Sequence, residues 1–201
     1  LGFSPDSSLL YAREQDGALL AWDLASRSQL SGEAFPGLPA NLRIGTLHPD
    51  SKTLAGRDER NFIQVWMRDS SSGNSRLQST IDAFSLKESL GLLLGGVGSD
   101  PRLAISLEND LIVYAARTGE RLTETLSGHQ AQVRAMAFAP DNQHLASASL
   151  DQTIRIWHLP SWPVRSESST SQQQGIQRDA TYVPLLGHQD TITSLDFARQ
   201  A

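Results

Sequence analysis

The chain has 201 residues, a formal net charge of −5 at pH 7 and no cysteine. The missing thiols exclude a disulfide framework and cysteine chemistry, and a sequence pI near 5.5 excludes the basic field with which proteins approach nucleic acid. The longest apolar run, Leu90-Gly91-Leu92-Leu93-Leu94, is far short of the roughly 20 residues of a membrane span and reads as a buried strand.

Taken in order, the chain is a series of short apolar strands punctuated by turn residues. The first unit turns at Phe3-Ser4-Pro5-Asp6 and closes on Ala21-Trp22-Asp23. The second turns at Leu47-His48-Pro49-Asp50 and ends on Ile63-Gln64-Val65-Trp66, with Met67 next and a polar insert from Ser70 to Ser75 behind it. The third opens on a Gly-rich strand, Leu90 to Gly98, carries Glu108 in its turn and closes on Tyr114. In the fourth, Gly128-His129 leads into Val133 to Phe138, then Phe138-Ala139-Pro140-Asp141, Ser147, Asp151 and Trp157 follow. Pro fixes φ and Asp tolerates the tight turn, so each such run predicts a hairpin. Beyond it, residues 161–180 are rich in Ser and Gln and nearly free of aliphatic side chains. Such composition buries too little surface to offset ordering entropy, which predicts a flexible loop. Tyr182 to Leu186 is expected to resume the sheet, and Gly187-His188 opens a fifth unit that stops at Ala201.

The closing aromatics Trp22, Trp66, Tyr114 and Trp157 are spaced by 44, 48 and 43 residues, and the turn signature shares that period. The pattern resembles the WD40 repeat family, with Trp157-His158 where the Trp-Asp pair would stand. The resemblance covers nearly the whole chain, though only the fourth unit carries the full motif. It implies an all-β fold, an arc of four-stranded antiparallel β-propeller blades of which about four to five are present, within a larger propeller of about seven blades. The expected division is a partial first repeat at 1–23, then repeats at 24–67, 68–115 and 116–158, a loop at 159–181 and the start of a fifth repeat at 182–201. A chain that begins without Met inside one repeat and stops inside another reads as a piece of a longer protein. Its open blade edges are expected to favour self-association.

The resemblance further implies a structural tetrad of His129, Ser147, Asp151 and Trp157. Physical chemistry supports it. A buried indole N–H needs an acceptor, a hydroxyl can accept and pass a bond onward, and an imidazole can donate to a carboxylate. Asp151 is then expected to have a depressed pKa and His129 a raised one, with burial opposing both. In the third unit, Ala104 and Tyr114 are expected to leave the network unbuilt.

Ser147, His129 and Asp151 also have the composition of a hydrolase triad. No G-x-S-x-G elbow surrounds Ser147, and Trp157 and Asp151 are expected to occupy its hydroxyl and its imidazole partner. The five His residues show no H-E-x-x-H or paired spacing, so no metal site is expected. Gly95-Gly96-Val97-Gly98 lacks the Lys-Ser/Thr of a phosphate loop and suits close packing. Arg57, Arg60 and Arg68 are interleaved with Asp58, Glu59 and Asp69, which reads as a solvated blade edge. No cofactor, nucleic acid or membrane partner is indicated.

The resemblance implies a non-catalytic interaction platform for proteins or peptides. Two alternatives are the sensory or scaffold half of a signalling protein fused to a kinase, protease or NTPase domain, and an enzymatic propeller. The cytoplasm is the expected compartment. The family's contact positions on the top face correspond to Gln132, Arg134 and Leu150 in the fourth unit, Thr191 and Thr193 in the fifth, Leu107 in the third and Gln15 in the first. Arg134 and Leu150 stand out, because a charged residue in a strand of small apolar ones and a Leu at a turn suit binding better than solvation.

Overall fold

A computed structural model of the chain describes residues 2–4, 7–13, 19–30, 35–39, 42–69, 71–83, 90–96, 101–141, 143–159, 182–187, 190, 192 and 194–197. The expected flexible loop at 159–181 lies outside them except for Leu159, which is buried. Among the described residues every regular element is a strand, and no helix is long and apolar enough to cross a membrane.

The strands form four antiparallel sheets, each built from strands consecutive in sequence. The first holds β1 (Gly2–Phe3), β2 (Leu9–Arg13), β3 (Leu19–Asp23) and β4 (Ser28–Gln29). The second holds β5 (Arg43–Leu47), β6 (Thr53–Arg57), β7 (Phe62–Arg68) and β8 (Ser75–Asp82). The third holds β9 (Leu90–Gly95), β10 (Arg102–Leu107) and β11 (Asp110–Ala115). The fourth holds β12 (Val133–Phe138), β13 (His144–Ser149), β14 (Ile154–His158) and β15 (Tyr182–Leu185). The third sheet is flanked by a short continuation in which Leu111 pairs with Leu126 and Tyr114 with Arg121. Each four-stranded sheet takes its last strand from beyond its closing aromatic, so the sheets are offset from the sequence repeats by one strand.

The turns form for local reasons. Asp50 Oδ1 accepts from the backbone N–H of Lys52 and Thr53 at 2.7 and 3.2 Å. Asp141 Oδ1 does the same for Gln143 and His144 at 2.8 and 3.1 Å. In each case the turn Asp satisfies N–H groups that the tight reversal would leave without a partner.

The sheets stack face to face, and the core lies between them. Ile63, Val65 and Ile81 of the second sheet share one cluster with Leu103, Ile105 and Tyr114 of the third. Leu111 and Val113 of the third share another with Leu145 and Trp157 of the fourth. A smaller cluster of Phe35, Leu42 and Leu54 is joined by Leu19 and Trp66, linking the first two sheets. The closing aromatics Trp66, Tyr114 and Trp157 therefore each point toward the preceding sheet. Polar contacts cross the same seams: the Leu94 N–H donates to Thr46 Oγ1 at 3.1 Å, and the Val133 N–H donates to the Glu108 carbonyl at 2.7 Å.

Where β5, β9 and β12 approach one another, side chains must be small. A Cβ on Gly45 would lie 2.5 Å from Leu92 Cδ1, and one on Gly95 would collide with the Phe138 ring. The Gly-rich character of β9 thus serves close packing of neighbouring sheets, as the sequence indicates.

Candidate interaction site

The four residues of the fourth unit come from different places along one sheet. His129 lies in the segment entering β12, Ser147 in β13, Asp151 in the β13–β14 turn and Trp157 in β14. Trp157 Nε1–H donates to Ser147 Oγ at 2.8 Å. Ser147 Oγ and His129 Nε2 are 2.8 Å apart, and His129 Nδ1 is 2.8 Å from Asp151 Oδ2. The donors balance in one way when the imidazole is neutral: the Ser147 hydroxyl donates to Nε2, and Nδ1–H donates to the carboxylate. Asp151 also accepts from the Gln130 N–H at 2.9 Å and from the Thr153 hydroxyl at 2.6 Å. This anchors the turn to the entering segment, and no polar atom of the relay is left exposed in the core.

Electrostatics corrects one expectation. Burial is the largest influence on His129 and pushes its pKa down; the hydrogen bond and charge of Asp151 oppose this without overcoming it, so the net shift is downward. The expected rise fails because desolvating a fully enclosed imidazolium costs more than one carboxylate returns. The contact with Asp151 is accordingly a hydrogen bond from a neutral ring. For Asp151, burial pushes upward, but hydrogen bonds from Thr153, the Gln130 N–H and His129 together hold the carboxyl well below the usual range.

The same arrangement disposes of nucleophilic chemistry at this place. Ser147 is 0% exposed, and its oxygen already accepts the indole N–H.

The other units depart from this relay in instructive ways. Register places Gly56 in the second sheet where Ser147 stands in the fourth, since Leu54 pairs with Trp66 as Leu145 pairs with Trp157. Trp66 Nε1–H instead donates to Gln64 Oε1 at 3.0 Å, and Gln64 Nε2 donates to Asp58 Oδ2 at 3.0 Å. Sequence reasoning missed this substitute relay; the signal was a Gln two residues before the closing Trp. In the third sheet Leu103 pairs with Tyr114, so the residue in the place of Ser147 is Ile105 rather than Ala104. Its hairpin is one residue shorter, and an aliphatic side chain there carries no hydrogen bond.

The residues proposed for contact are distributed unevenly. The Leu150 N–H donates to the Gln132 carbonyl at 2.9 Å, which holds these two together at one end of the fourth sheet. Pairing shifts between Val133 and Ala135, leaving Arg134 as the extra residue of a bulge, with its side chain exposed. Leu150 is 37% exposed. Leu107 is half-buried and packs against the cluster between the second and third sheets, so its apolar side chain already has a structural use. Gln15, Thr191 and Thr193 lie outside the described residues.

Residues 120–158 match the family model described as WD domain, G-beta repeat, and they contain the relay and most of the fourth sheet. The chain belongs to the WD40-repeat family. This WD40 chain is 31% identical over 164 residues to Periodic tryptophan protein 2 of Saccharomyces cerevisiae, covering 79% of the chain and 16% of the relative. It is 28% identical over 191 residues to Periodic tryptophan protein 2 homolog of Dictyostelium discoideum, covering 75% and 20%. Protein hir1 of Aspergillus terreus is 26% identical over 186 residues, covering 89% and 17%. The chain thus spans about a fifth or less of the length of these curated relatives. Its antiparallel sheets have the architecture of propeller blades.

Proposed function

We propose that the chain is a non-catalytic platform that binds a protein or peptide across the end of the fourth sheet where Gln132, Arg134 and Leu150 gather. The observation carrying this reading is the bulge at Arg134 beside the Gln132–Leu150 hydrogen bond. A bulge re-aims a side chain, and here it presents an exposed guanidinium two residues along the chain from Gln132, whose carbonyl the exposed Leu150 bonds. Arg offers planar, multi-donor contacts and Leu a desolvated anchor, the combination from which interface centres are built. The rigid relay beneath supplies preorganisation, which lowers the entropic cost of binding. The cytoplasm is the compartment proposed for this activity.

The test compares captured partners for the wild type, Arg134→Ala, Leu150→Ala and Asp151→Ala, with a thermal melt of each. The reading requires the first two to lose a shared partner with an unchanged melt. If all three lose binding only in proportion to their loss of folding, the assignment is wrong.

A further inference from the structure

His144 and His158 are 14 residues apart in sequence and directly opposite each other in the sheet, on β13 and β14. The Leu159 N–H donates to the Gln143 carbonyl at 2.7 Å, so the adjacent His144–His158 pair is of the non-hydrogen-bonded type, in which side chains approach most closely. Their rings lie with centroids 5.1 Å apart at an interplanar angle of 63°. His144 Nε2 and His158 Nδ1 face each other at 3.4 Å. The other nitrogen of His144, Nδ1, is 2.6 Å from Asp141 Oδ2.

We propose that His144 and His158 form a bidentate site for Zn2+, with Asp141 as the residue that orients His144. Zinc–imidazole bonds are roughly 2.0–2.1 Å, and a tetrahedral angle between two of them sets the nitrogens about 3.3–3.4 Å apart. The observed separation matches that geometry. It is too wide for the near-right angle of a square-planar Cu2+ or Ni2+ centre, where about 2.9 Å is needed at similar bond lengths. Asp141 accepts the Nδ1–H of His144, which fixes the tautomer and places the lone pair on Nε2, the outer-sphere arrangement that zinc-ligating histidines usually show. That lone pair now accepts a long hydrogen bond from His158 Nδ1–H, whose proton the metal would replace. Both rings are open to solvent at the rim of the sheet, so the ion has access. Two protein ligands leave two positions for water. The linked strands would be clipped across the β13–β14 hairpin.

Calorimetric titration of the tag-free chain with Zn2+ tests this, with a parallel titration by Co2+ read by the visible absorption of tetrahedral cobalt. One saturable equivalent is expected, together with the tetrahedral cobalt signature. His144→Asn and His158→Asn should each abolish both signals, while His48→Asn should leave them intact. Asp141→Asn should weaken zinc binding by about 10–100-fold with the zinc-free melt unchanged. Absence of saturable binding, or equal affinity in the His144→Asn and His158→Asn variants, overturns the site. Equal affinity in Asp141→Asn overturns the positioning role.

Discussion

The Trp157 indole N–H reaches Ser147 Oγ at 2.8 Å inside the fourth sheet, joining β14 to β13 at a point where both residues are buried. The bond does more than tether two strands, because the same oxygen is shared with His129. Ser147→Ala removes one atom but strands two partners, the indole N–H and the imidazole Nε2. A buried polar group without a partner costs about 1–3 kcal/mol, so this variant should be destabilised by at least that range. A urea melt monitored by Trp fluorescence measures it. A loss below a few tenths of a kcal/mol would show that the relay contributes nothing net.

Acid should act on the relay in two stages. His129 has a native pKa below its ordinary 6.5, so the unfolded chain binds the proton more readily. The stability this group contributes is complete above about pH 6.5 and is lost as the pH falls toward the native value. Asp151, also depressed, contributes stability above its ordinary 3.8 that disappears at lower pH still. Melting temperature should therefore fall between pH 7.5 and 5.5 in the wild type and fall less in His129→Asn. Equal slopes in the two proteins would contradict a neutral, buried His129.

Close packing at the inner strands makes a different demand. Gly95 sits against the Phe138 ring of the next sheet, with Phe138 Cβ also 2.9 Å from where a methyl would be placed. The ring's own Cβ cannot swing away without moving β12. Gly95→Ala should cost about 1–3 kcal/mol through overpacking, read as a lower urea midpoint with an unchanged slope.

Much of this architecture was legible in the residues. The shared period of the closing aromatics and turn signatures carried the family resemblance, and that resemblance implied both the blade class and the tetrad of His129, Ser147, Asp151 and Trp157. What was not legible depends on register and environment. Ile105 rather than Ala104 faces the relay position because the third hairpin is one residue shorter than its neighbours. Gln64 reads in sequence as a solvent-facing strand residue, and its service to Trp66 appears only with the strand geometry. The His144–His158 pair is invisible at a separation of 14 residues until the β13–β14 register is known. The direction of the His129 shift required weighing burial against one carboxylate, which spacing cannot do.

The second sheet offers a comparison with the fourth. There Gln64 relays between Trp66 and Asp58, and all three are only partly buried. Asp58 Oδ1 additionally accepts from the Arg60 and Phe62 N–H groups at 2.9 Å each, so the turn depends on Asp58 as the fourth depends on Asp151. Gln64→Leu removes the relay while leaving those turn bonds in place. Because water can reach the freed groups, the cost should be about 0.5–1.5 kcal/mol, less than for Ser147→Ala. Asp58→Ala should cost more than Gln64→Leu, since it frees two backbone donors as well. Urea melts of the three variants rank them. The reverse order, with Gln64→Leu the most damaging, would mean that the half-buried relay and not the enclosed one holds the stack of sheets together.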